Sequence, residues 1–318
     1  MKTVCFGEIM LRLSPPGFER LFQSPVLQAT FGGGEANVAV SLAHFGCESH
    51  YVTRVPAGAI GDAVVRVLRG EGVGTGHVLR GGARLGIYFA ETGASQRPST
   101  VVYDRAHSAI SEIQPGSVDW AEVFDGASWF HCTGITPALS ASAAACTKEA
   151  IEAAKRAGAR VSVDLNYRKK LWSERDAQQT MRPLMPLVDV VIANEEDLQS
   201  VLGIDVPHAD VTGASLSVDG YRAAAQRVVS EFGVRQVAVT LRESLSASDN
   251  AWSAVLLDAA AGSFHLSQRY TVRLVDRIGG GDSFAAGLIY GLLSGHGSEA
   301  ALRFAVAASA LKQTIPGD

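Results

Sequence analysis

The chain has 318 residues, 47% hydrophobic and 19% charged, with a formal net charge of −4, enough length to bury a substantial core in one large α/β domain. This balance leaves no basic surface excess for nucleic acid or an anionic membrane, and the four cysteines show neither CxxC pairing nor metal-like spacing. No apolar run approaches a membrane span, and the opening MKTVCFGEIMLRLS turns polar too soon for a secretory leader. The cytoplasm is the expected compartment.

In chain order, KTVCFGEI opens as a buried strand. EIMLRLSPPG and VLQATFG follow as short alternating strands with no helix between them. FGGGEANVAVSLAHFG then runs Gly32, Gly33 and Gly34 directly into a helix with Val38, Leu42 and Phe45 on one face; Asn37 lies near its first turn and Gly46 ends it. After the strand SHYVTRV, the cluster GEGVGTG follows a helix rather than a strand, so it reads as a surface turn. RLGIYFAETG and STVVYDRA form a second pair of alternating strands. ASWFHCTG, ARVSVDLN, DVVIAN and RQVAVTL are further buried strands, separated by helices such as SAAACTKEAIEAAKRAG, and HADVTGASLSVDG is a polar connection.

Strand and helix in alternation predict a doubly wound, mainly parallel α/β sheet with helices on both faces. The helix-less pairs predict a small β-sheet lid contributed from residues of about 9–31 and 84–105, within a single domain spanning 1–318. Ligands of such sheets sit at the carboxyl ends of the strands.

DRIGGGDSFAAGLIYG, from Asp276, carries the sharpest chemical signal. A helix start leaves backbone N–H groups without acceptors and concentrates positive partial charge, so anions collect there. Gly279, Gly280 and Gly281 allow close approach and predict an anion cradle, with Ser283 opening the helix and Asp282 at the lip, as a base or as a plain helix cap. GxxxxGK[ST] is absent, which removes P-loop nucleotide binding. The first strand carries only Gly7 before its turn, which gives a dinucleotide site little support.

GGGEANVAVSLAHFG and DRIGGGDSFAAGLIYG together resemble the paired signatures of the ribokinase-like (PfkB) sugar kinases. Arg277 stands where that family usually has Thr, and Gly280 where it has Ala. RPSTVVYDRAHSAIS, DLNYRKKLW, NEEDL and TLRESLSASDNAW are most similar to the kinases of 2-keto-3-deoxygluconate within it. The resemblance implies transfer of phosphate from ATP, with Mg²⁺, to the C6 hydroxyl of a small sugar acid. It gives Asp282 the role of base and the three glycines that of anion hole. It implies substrate contacts at Gly33, Gly34, Asn37, Tyr88, Tyr103, Arg105 and Arg168, where the planar arginine fork suits a carboxylate. It further implies nucleotide contacts at Asn194, Thr240, Arg242, Ser244, Gly279 and Gly281, and a water-mediated Mg²⁺ role for Asn194 and Asp197, which could equally be capping residues. Many relatives hold a monovalent cation such as K⁺ through carbonyls around Asp276, and exposed lid edges invite a homo-oligomer. A neutral ketose as substrate, or a non-catalytic sugar or nucleotide sensor, are the other readings; a sensor has no use for the base.

Overall fold

The computed structural model describes residues 1–206 and 218–318, so His208–Ser217 of the polar connection lie outside the described residues. The chain enters as β1 (Lys2–Phe6), β2 (Met10–Ser14), β3 (Gln28–Gly32), α1 (Gly34–His44), β4 (Glu48–Val55), α2 (Ala59–Gly70) and β5 (Val78–Arg80). It continues through β6 (Gly86–Glu91), β7 (Thr100–Asp104), α3 (Trp120–Phe124), β8 (Ala127–Thr133), α4 (Ile135–Ala138), α5 (Ala141–Arg156) and β9 (Arg160–Asp164). Then come α6 (Glu174–Met181), β10 (Val190–Ala193), α7 (Glu195–Leu202), α8 (Val218–Phe232), β11 (Gln236–Ser244) and β12 (Asp249–Asp258). β13 (Ser263–Leu266), β14 (Tyr270–Arg273), α9 (Gly280–Leu293) and α10 (Ser298–Lys312) complete it.

The main sheet has the order β13-β12-β11-β10-β9-β8-β1-β4-β5, with β14 also paired to β12. It is parallel from β11 to β5 and antiparallel beyond. Its central strands β1, β8, β9 and β10 are buried on both faces, and successive side chains feed opposite cores. Val4 and Phe6 pack with α5, α6 and α8 residues, whereas Cys5 between them packs against α1, α9 and α10. All four cysteines are free and buried.

From β1 the chain winds outward to β4 and β5, then returns to the other side of β1 as β8 and winds away through β9, β10 and β11. The reversal leaves a crevice at the carboxyl ends of β1 and β8, the place where such sheets take ligands. Residues leaving β1, β8, β9 and β10 therefore converge there.

The lid is a separate sheet of order β3-β2-β6-β7. Antiparallel pairing of β6 with β7 sets Tyr88 opposite Tyr103, their rings 5.9 Å apart. Met10, Tyr88 and Ala90 form its small core, against which Ile278 packs. The lid thus rests on the turn leading into α9. One local expectation is corrected: the helix opens at Gly280, so Gly280 and Gly281 form its first turn, and only Gly279 ahead of it is left-handed, at φ +83°.

Candidate active site

Between lid and sheet lies a cavity of about 720 Å³. Every site residue expected from the sequence lines it. Gly33, Gly34 and Asn37 come from the start of α1, Tyr88, Tyr103 and Arg105 from the lid, and Arg168 from beyond β9. Asn194 and Asp197 come from the start of α7, Thr240, Arg242 and Ser244 from the end of β11, and Gly279 to Asp282 from the start of α9.

Asp282 does not cap its helix; no side chain does. Its Oδ2 accepts a 2.7 Å hydrogen bond from Asn37 Nδ2, while Asn37 Oδ1 accepts the Gly33 N–H at 3.2 Å, which fixes the amide's orientation. The two glycine-rich helix starts are thereby joined through one carboxylate. A Cβ on Gly34 would lie 3.6 Å from Asp282 Oδ1, so glycine there leaves that oxygen accessible. Burial raises the Asp282 pKa to about 6; the Asn37 bond opposes this, the charge of Asp318 adds to it, and Arg168 and Lys312 oppose it. Such a carboxylate is ionised at neutral pH yet ready to take a proton. Beside it the Gly280 N–H is only loosely held, 3.4 Å from the Arg277 carbonyl, and the first-turn amides lack acceptors within the helix.

Arg168 stands among carboxylates. The pKa of buried Asp164 is pushed well up by burial, then by the charges of Asp197 and Asp282, and drawn down by Arg168. Arg168 spends one Nη on the Tyr167 carbonyl at 2.9 Å; the rest of its fork is open to the cavity. Arg105 is arranged otherwise than the sequence suggests. Its Nε and Nη2 both donate to Glu8 Oε2, and Ser108 Oγ donates to Glu8 Oε1 at 2.6 Å. The two-pronged face assigned to a substrate carboxylate is closed on Glu8, leaving Nη1, and the guanidinium lies 5.2 Å from the Tyr103 ring centre.

Asn194 and Asp197 form a reciprocal cap. Asn194 Oδ1 accepts the Asp197 N–H at 2.9 Å, Asp197 Oδ2 accepts the Asn194 N–H at 3.0 Å, and Asp197 Oδ1 takes the Tyr167 N–H at 2.8 Å. Burial lifts the Asp197 pKa to about 6. The capping alternative is realised, with each of these oxygens already accepting one backbone N–H. Among the described residues, no group of three or more His, Cys, Asp or Glu side chains is arranged to hold a metal. The donors present, with Glu195 and Glu196 beside them, suit an ion held through water and phosphate oxygens, as Mg²⁺ commonly is.

Two groups at the site, Glu8 and Asp164, lie outside the glycine signatures, and a third, Glu35, stands inside the first of them with no role assigned from the sequence. Glu8 and Asp164 stand at the carboxyl ends of β1 and β9, where such sheets take ligands. Glu35 is buried under the turn after β1, its Oε1 accepting Thr133 N–H at 3.2 Å, Thr133 Oγ1 at 2.8 Å and Thr136 Oγ1 at 2.9 Å. Burial carries the Glu35 pKa to about 7. Gly7 makes room for it, since a Cβ there would sit 2.1 Å from the carboxyl carbon. His131 is buried, bonded to Ser162 at 2.8 Å and held neutral by burial, its pKa about 3.

The pfkB family carbohydrate kinase model matches residues 1–318. The chain belongs to this family. The kinase is 50% identical to the 2-dehydro-3-deoxygluconokinase of Thermotoga maritima, with a TM-score of 0.95 over 100% of this chain and 95% of that one. It is 35% identical to a 2-dehydro-3-deoxygalactonokinase of Haloferax volcanii, over 100% of this chain and 92% of that protein. It is 29% identical to a 2-dehydro-3-deoxygluconokinase of Thermoproteus tenax, over 100% and 90%.

One substitution tests how tightly the kinase's first glycine run is fixed. A Cβ on Gly33 would lie 2.1 Å from the Glu8 carbonyl oxygen, a backbone atom that cannot swing away. Gly33→Ala is expected to shift the start of α1, cost about 1–3 kcal/mol by urea unfolding, and raise the KM for sugar more than that for ATP. Unchanged stability and KM would refute this.

Proposed function

We propose that this kinase transfers the γ-phosphoryl group of ATP to the C6 hydroxyl of 2-keto-3-deoxygluconate (2-dehydro-3-deoxygluconate), giving the 6-phosphate and ADP. The observation that carries the reading is Asp282, buried, held by Asn37, and placed at the glycine-lined start of α9. The C6 oxygen attacks the γ-phosphorus, its proton passes to an Asp282 carboxylate oxygen, and the bond from phosphorus to the bridging oxygen breaks with its electron pair leaving on ADP. The N–H groups of Gly279, Gly280 and Gly281 hold the phosphoryl oxygens in this reading, and most of the remaining work is positioning.

Arg168, with the remaining Nη of Arg105, supplies the cationic end for the substrate carboxylate, while Gly33, Gly34, Tyr88 and Tyr103 shape the sugar side. Thr240, Arg242 and Ser244 take the nucleotide, with Asn194 nearby. When bound, Mg²⁺ would neutralise charge on the β- and γ-phosphate oxygens; Asn194 and Asp197 would reach it through water. The open lid edges β3 and β7 support self-association, checked by light scattering.

The test is ADP release with Mg²⁺-ATP against 2-keto-3-deoxygluconate, 2-keto-3-deoxygalactonate, fructose, ribose and gluconate. Turnover confined to the two keto-deoxy acids is the expected result. Comparable turnover on fructose or ribose would sink the acid pocket and leave the kinase, whereas ATP binding with no turnover on any sugar would favour a sensor.

A further inference from the structure

Lys312, the last residue of α10, sends its side chain beneath the phosphate cradle. Its Nζ donates to the Ile278 carbonyl and, at 2.6 Å, to the Gly317 carbonyl. Asp276, Asp318 and Asp282 all lie close enough for their charges to act on it. Asp276 accepts the Ile278 N–H at 3.0 Å and the Gly317 N–H at 3.2 Å, and Arg12 from the lid pairs with both Asp276 and Asp318. Gly279 packs closely on this cluster: a Cβ there would stand 3.0 Å from the Asp318 backbone carbon and 3.2 Å from Lys312 Cε.

This is the neighbourhood in which the family resemblance offers a monovalent cation held on carbonyls around Asp276. The residues present do not fit such an ion. The carbonyls of Ile278 and Gly317 are already engaged by an ammonium, and that of Gln313 accepts the Val275 and Asp276 N–H groups at 2.9 and 3.2 Å. Arg12 and Lys312 already place two cations beside Asp276 and Asp318, so a K⁺ ion there would meet like charge on both sides. A lysine ammonium is a compact cation with three donors, able to meet the carbonyl oxygens that would otherwise replace an ion's hydration shell.

We propose that the Lys312 ammonium is the built-in cation of the phosphate cradle, replacing a monovalent ion and making this kinase independent of K⁺. Because a trans peptide points its C=O and N–H in opposite directions, drawing the Ile278 carbonyl onto Lys312 turns the Gly279 N–H away from it. Lys312 is therefore a positioning residue for the cradle, and this role rests on the kinase reading above.

The experiment compares wild type with Lys312→Ala and Lys312→Met in choline chloride, NaCl and KCl at matched ionic strength, reading kinetics with 2-keto-3-deoxygluconate and thermal midpoints without ligands. Wild type is expected to give the same kcat and the same midpoint in all three salts. Lys312→Ala is expected to lose about 10²-fold in kcat, the scale of one oxyanion donor, with little change in the KM for sugar. KCl, and not choline, should then restore part of its rate and raise its midpoint, while Lys312→Met, which fills the space without charge, stays slow in every salt. A wild type strongly activated or stabilised by K⁺ overturns the proposal, as does a Lys312→Ala variant with wild-type kinetics in choline. If wild type turns over no sugar acid, the substrate reading fails separately, and the K⁺-dependent midpoints still decide the role of Lys312. If Lys312→Ala does not fold, the salt indifference of wild type decides it.

Discussion

Asp282→Asn is expected to lower kcat by about 10²–10⁴-fold, the usual contribution of a positioned base, with little change in the KM for either substrate. Asparagine keeps the shape, and by turning its carbonyl oxygen toward Asn37 Nδ2 it keeps the hydrogen bond that Asp282 accepts. What it lacks is a site for the proton of the attacking hydroxyl. The base must be ionised to act, so kcat/KM of the wild type should be flat above pH 7 and fall about tenfold per unit below the Asp282 pKa of about 6. A variant within tenfold of wild type would remove Asp282 from the proton transfer and leave the cradle alone to explain catalysis.

The same substitution has an opposite effect on stability. The Asp282 pKa is about 6 in the folded protein against an ordinary 3.8, so the folded state holds the proton more tightly than the unfolded chain. Its stabilising contribution is fully present below the unfolded value, is lost as pH rises through that window, and has gone above about 6. A shift of roughly two units corresponds to about 3 kcal/mol. Asp282→Asn should therefore unfold at higher urea than wild type near pH 8, with the gap closing toward pH 4. A wild type that is the more stable at pH 8 would show that Asn37 and Arg168 hold the charged form better than burial disfavours it.

Much of this site is legible in the sequence because glycine and helix-start chemistry are local. Gly32–Gly34 and Gly279–Gly281 announce two helix starts, and a doubly wound sheet brings the carboxyl ends of its strands to one crevice. The alternating pairs around Met10 and Tyr88 announce the lid because they lack the helix that a parallel crossover needs. What stays hidden is long-range pairing between charges. Nothing in FGEIM says that Glu8 will close on Arg105, 97 positions away, and nothing in ALKQT says that Lys312 will reach the carbonyl of Ile278. Asp197 is hidden differently: N-x-x-D at a helix start suits a cap as well as a water-mediated metal contact, and the cap, made with three backbone N–H groups, shows only in the folded chain.

Arg105→Ala should cost about 3–5 kcal/mol, because it strands Glu8, only 1% exposed, without its cation. It should also raise the KM for the keto-deoxy acid. The two losses have separate causes, and a double variant separates them. Glu8→Gln combined with Arg105→Met replaces a buried ion pair by neutral groups of similar volume, a change that is often close to neutral. Its urea midpoint should return to within about 1 kcal/mol of wild type. Ser108, whose hydroxyl donates to Glu8, can still donate to the glutamine carbonyl oxygen. If the remaining Nη of Arg105 meets the substrate carboxylate, the high KM persists in the double variant, because no residue there replaces that donor. Recovery of both stability and KM would make Arg105 a support for Glu8 and assign the carboxylate to Arg168. Recovery of neither would mean that the lid needs the charged pair itself to close over the cavity.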